Sequence, residues 1–130
     1  MIVPDASALL EVLLRTAAGR ELEERLLAPG ETLHAPHLVD VEVAQVLRRY
    51  RAAGALAEAR AREALDDQRR MPLERYGHEL LVERMWELRA NATAYDAAYL
   101  ALAEALGAPL VTRDAALARV PGCRAVVEVV

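Results

Sequence analysis

The chain has 130 residues, 55% of them hydrophobic and 28% charged, enough for one compact core and unlike a disordered or fibrous composition. All 16 basic residues are arginine, and 20 acids leave a net charge of -4, which excludes nucleic-acid binding by bulk positive charge alone. Without four of those acids the remaining charges would balance, so a single four-carboxylate site would account for the whole excess.

In chain order, "MIVP" reads as a short strand, with Pro4 at its end where the ladder stops. Leucines at helical spacing then predict one helix from Ser7 to about Leu27, ended by "APG". "ETLHAP" is a short extended segment, and "HLVDVEVAQVLRRYRAAG" and "ALAEARAREALDDQRR" are helices. "MPLERY" reads equally as strand or connection, and "GHELLVERMWELRA" as helix. "YDAAYLALAEALG" is a helix with a glycine stop, "APLVTRD" a buried strand, "AALARV" a short helix and "CRAVVEVV" a last strand. Strands alternating with helices predict an α/β fold, one domain over 1–130, with a parallel sheet covered on both faces.

Three acids follow or open these elements: Asp5 after the first strand, Asp96 in the first turn of a helix, and Asp114 after "PLVT". Open parallel sheets gather functional groups at the carboxyl ends of their strands. If the first and "PLVT" strands are neighbours, Asp5 and Asp114 share a crevice. Clustered carboxylates repel one another unless a cation is present. All-oxygen clusters suit Mg²⁺ or Mn²⁺, which acidify bound water and neutralise a phosphate under attack. A fourth acid comes from "HLVDVEV". The apolar stripe there runs through Val39, Val43, Val46 and Tyr50, and Asp40 and Glu42 flank it equally, so periodicity does not choose between them.

The stretches "MIVPDASALL", "HAPHLVDVEVAQVLRR" and "TAYDAAYLALAEALGAPLVTRDAAL" span nearly the whole chain. Together they resemble PIN-domain ribonucleases, most closely toxins of the VapBC toxin–antitoxin type. The resemblance implies a flavodoxin-like sheet and an Mg²⁺- or Mn²⁺-dependent endoribonuclease. Its four acids fall on Asp5, Glu42, Asp96 and Asp114, with Ser7 and Thr112 as polar helpers near the metal. Asp40 has no place in that pattern and becomes a surface or capping residue. The resemblance also implies a homodimer and a small antitoxin partner that covers the acidic pocket.

Plainer roles fit the same residues. Asp5 and Asp114 serve as helix N-caps, and Asp96 as a first-turn acid. Arg48, Arg49 and Arg51 read equally as RNA-backbone contacts or as a solvated face. Arg60, Arg62, Arg69 and Arg70 read rather as partners of Glu58, Glu63, Asp66 and Asp67. His34 and His37, in a loop with no cysteine pair, make a poor zinc site. Cys123 is the only cysteine, so no internal disulfide forms. With neither a membrane-length apolar run nor a signal peptide, a cytoplasmic location is expected. Aspartyl-phosphate phosphatases and receiver domains also carry an early acid, but both use a lysine that this chain lacks. The remaining alternative is a non-catalytic PIN-like module that binds RNA or a partner.

Overall fold

The computed structural model describes residues 1–130. Strands β1 (Val3–Pro4), β4 (Leu110–Thr112) and β5 (Val127–Val129) form one parallel ladder, and β2 (Leu33–Pro36) pairs in parallel with β3 (Leu73–Tyr76). A parallel bridge between Ile2 and Leu33 joins the two, giving the spatial order β3-β2-β1-β4-β5. The strand order therefore reverses between β1 and β4, which are direct neighbours with Val3 opposite Leu110. "MPLERY" is thereby settled as a strand.

Consecutive strand residues point to opposite faces. Ile2 and Val3, Leu33 to Pro36, and Leu110 to Thr112 are all buried, so both faces of the inner strands are covered. Helix α6 (Ala94–Leu106) packs on β1, β2 and β4. Its alanines let the backbone approach the sheet closely, and Ala97 through Ala103 are all buried. Thr93 caps its start by accepting the Asp96 N–H, and Gly107 ends it in the left-handed conformation. Helix α1 (Ala6–Leu13) lies on β1 and β4 and also touches α3 (Leu38–Ala52) and α4 (Glu58–Arg70). Leu9, Leu13, Val39, Val43, Leu47, Leu100 and Leu110 belong to one cluster of 28 buried residues.

Three expectations need correction. The helix from Ser7 to Leu27 is two helices, α1 and α2 (Ala17–Leu26). Arg15 turns left-handed at φ 53° and Thr16 caps a new start by accepting the Gly19 N–H at 2.9 Å. The cause is tertiary: α2 lies so close on α1 that a Cβ at Gly19 would sit 2.0 Å from the Glu11 carbonyl oxygen. The segment after Gly77 is also shorter than expected, a 3-10 turn at Glu79–Leu81 followed by α5 (Val82–Glu87). Finally, "AALARV" forms only a 3-10 turn at Leu117–Arg119.

The chain end is held by Glu104, which accepts from the Arg84 guanidinium at 2.7 Å and from the Arg124 N–H at 2.7 Å. Arg84 holds the Glu104 carboxyl down at about 2. No helix is long and apolar enough to cross a membrane.

Candidate active site

Where the strand order reverses, the chain leaves β1 and β4 side by side, and their exits are tied together. The Asp5 N–H donates to the Val111 carbonyl at 3.0 Å, the last sheet contact before α1 begins. Asp5 then caps α1, its Oδ1 accepting the Ala8 N–H at 2.9 Å. Ser7 Oγ–H donates to the same Oδ1 at 2.6 Å, and Thr112 Oγ1–H donates to Oδ2. Both hydroxyls are themselves oriented by the β4 exit: the Arg113 N–H donates to Ser7 and the Asp114 N–H to Thr112, each at 2.9 Å. With their lone pairs committed to these amides, the two hydroxyl protons face the Asp5 carboxylate.

Asp5 is only 7% exposed, and burial raises its carboxyl above the ordinary value against the pull of these donors. Glu42 projects from α3 and accepts a hydrogen bond from Tyr99 of α6 at 2.5 Å. Burial raises the Glu42 carboxyl, the Tyr99 bond opposes this, and the charges of Asp5 and Asp96 raise it further. The charges of Asp5 and Asp96 thus reach Glu42, although the three residues come from different elements.

All four acids line one cleft of about 1280 Å³. Ser7, Tyr50, Tyr95, Tyr99, Arg48, Arg49 and Arg113 line it as well. Asp114 stands at its edge, its Oδ1 accepting the Ala116 N–H at 2.8 Å. It therefore closes a tight turn and is not the N-cap of a helix. Thr112, fully buried, lies beneath the cleft as a support for Asp5.

The structure separates Asp40 from Glu42. The buried stripe of α3 is Val39, Val43 and Leu47; Val46 is only partly buried and Tyr50 is 42% exposed, so the stripe is rotated from the expected one. Asp40 also lines the cleft but at its rim, where it accepts from Arg75 at 2.8 and 2.9 Å and from Gln68 at 2.8 Å. Glu42 faces Tyr99 and the other acids. Of the three arginines on this helix, Arg48 and Arg49 line the cleft, whereas Arg51 pairs with Glu58 at 3.2 Å outside it. Arg60, Arg62 and Arg69 pair with Glu63, Glu58 and Asp66. His34 is buried between Thr32 and Tyr76, and the Leu38 N–H donates to His78 Nε2 at 3.1 Å. These rings are structural.

Two residues at the site escaped the sequence reading. Tyr99 reads as core because it sits in an apolar helix, yet it falls three residues after Asp96 and so on the same helical face. Arg113 lies between Thr112 and Asp114, lines the cleft and approaches Glu11 at 3.4 Å.

The cleft offers only oxygen donors as ligands, and its acids repel one another. The carboxylates do not close into a three-ligand cage. An open all-oxygen set suits a hard dication that keeps several of its waters.

The model of the PIN domain matches residues 2–122. The chain belongs to the PIN-domain family. Within it, this PIN domain is 50% identical over 114 residues to ribonuclease VapC9 of Mycobacterium tuberculosis, covering 88% of this chain and 86% of the relative. It is 39% identical over 139 aligned positions to ribonuclease VapC12 of the same organism, covering 100% and 99%. Among solved structures, VapBC2 of Rickettsia felis, bound to a DNA fragment from its promoter, superposes with a TM-score of 0.71 at 17% identity, covering 98% of both chains. That likeness supports the fold alone.

Proposed function

We infer that this PIN domain is an endoribonuclease, the toxin of a toxin–antitoxin pair, and that its acidic cleft works with a divalent cation, Mg²⁺ or Mn²⁺. The observation carrying this reading is the convergence of Asp5, Glu42 and Asp96 on one cleft, with mutual charge repulsion felt at Glu42. An acidic cleft repels an RNA backbone. It becomes a phosphate site only when a cation offsets its charge.

Asp5, Glu42, Asp96 and Asp114 are the residues that would hold the ion. When bound, it acidifies a water and offsets charge on the phosphodiester being cut. The chain supplies the rest. Ser7 and Thr112 fix the Asp5 carboxylate through hydroxyls aimed by the β4 exit. Arg48 and Arg49, in no salt bridge on the cleft wall, would attract the flanking phosphates. Arg51, already paired with Glu58, is the weaker candidate. The protein partner we propose is a small antitoxin covering this cleft, acting on a homodimer in the cytoplasm.

The test is digestion of total cellular RNA by the purified protein with Mn²⁺, followed by sequencing of new RNA ends. Discrete ends absent with a chelator and with Asp96→Asn are expected. Equal patterns from wild type and Asp96→Asn would remove the cleft as the catalyst. RNA binding without cutting would favour a non-catalytic module.

A further inference from the structure

Tyr99 is a buried hydroxyl that the proposed chemistry leaves without a task. It is 2% exposed on α6, and its proton goes to Oε2 of Glu42 at 2.5 Å. One side chain thus links α6, which also carries Asp96, to Glu42 on α3.

The carboxylates differ in how they are held. Three donors fix Asp5 and the Ala116 N–H fixes Asp114. Glu42 stands half-buried on α3, and its hydrogen bond from Tyr99 is its one tether. A glutamate has more rotatable bonds than an aspartate, so without that bond it would spread over several rotamers. Packing alone does not require the phenol oxygen, since a phenylalanine fills the same space without burying a polar group.

We propose that Tyr99 is a positioning residue, whose hydroxyl pins Oε2 of Glu42 and leaves Oε1 as the oxygen that meets the cation. This rests on the proposed metal chemistry of the same cleft. Partners that orient metal-binding side chains are typically worth about 10–100-fold in metal affinity.

The experiment is calorimetric titration of Mn²⁺ into the purified, antitoxin-free chain, without RNA, for wild type, Tyr99→Phe, Glu42→Gln, the double variant and Asp5→Asn. Tyr99→Phe keeps the ring and the packing. Its Mn²⁺ affinity is expected to fall about 10–100-fold, with no further fall when the change is made in the Glu42→Gln background. An affinity within about twofold of wild type would overturn the proposal, and so would an equal loss in the Glu42→Gln background, which would mean that Tyr99 acts by packing. If Asp5→Asn loses Mn²⁺ and Tyr99→Phe does not, only this inference fails. If wild type binds Mn²⁺ no better than Asp5→Asn, the metal reading falls and takes this inference with it.

Discussion

Thr112 donates its hydroxyl proton to Asp5 across the boundary between β4 and β1, while its own oxygen accepts the Asp114 N–H at 2.9 Å. One fully buried side chain therefore sets both the carboxylate at the end of β1 and the turn that presents Asp114. Thr112→Val keeps the shape and removes both bonds. It is expected to lower stability by about 1–3 kcal/mol, because a buried amide and a carboxylate oxygen lose partners. RNA cleavage should fall about 10–100-fold, with Thr112→Ser restoring most of it. Denaturant unfolding and initial cleavage rates check both. Unchanged cleavage by Thr112→Val would show that Asp5 needs no such support.

Burial of the cleft carboxylates predicts a pH signature. The Asp5 and Glu42 carboxyls are raised above their ordinary values in the fold, chiefly through burial. The native chain thus holds these protons more tightly than the unfolded chain. The resulting stability is complete below the ordinary carboxylate values and is lost as pH rises through the raised native ones. In the ion-free protein, Glu42→Gln should therefore melt a few degrees higher than wild type near neutral pH, the difference shrinking towards about pH 4. Mn²⁺ should stabilise wild type more near neutrality than near about pH 5, where protons compete for the same oxygens. Melting curves across pH decide it. A pH-independent difference would contradict the assignment.

The close approach of α2 to α1 predicts a third outcome. A Cβ at Gly19 would meet the Glu11 carbonyl oxygen at 2.0 Å and its carbon at 2.6 Å, both backbone atoms that cannot swing aside. Gly19→Ala should cost about 1–3 kcal/mol in denaturant unfolding, as overpacking does, even though alanine is the better helix former. A neutral or stabilising effect would mean that the two helices part without cost.

Much of the site was legible because a parallel sheet obliges it. Once Asp5 and Asp114 end apolar strands, neighbouring strands bring them together, and β1 and β4 are neighbours. The break at Arg15 was not legible, since no glycine or proline marks it. It follows from a contact between Gly19 and Glu11, which a periodicity reading cannot see. Asp40 and Glu42 could not be told apart by periodicity, because a stripe placed through Val46 and Tyr50 lies off the buried line of Val39, Val43 and Leu47. Their fates follow from distant residues, Arg75 on β3 for one and Tyr99 on α6 for the other. Tyr99 itself was hidden by the apolar helix around it.

Those two acids, two residues apart on one helix, separate catalysis by the inner carboxylates from a general effect of charge in the cleft. Cleavage of one RNA substrate with Mn²⁺ would be measured side by side for Glu42→Gln and Asp40→Asn. Glu42→Gln should lose at least about 100-fold, the upper end of what a perturbed metal site costs. Asp40→Asn, which weakens the pair with Arg75 and alters the bond from Gln68 at the rim without touching Tyr99 or Asp5, should stay within about threefold of wild type. Equal losses, or a larger loss for Asp40→Asn, would mean that Glu42 has no special part in cleavage.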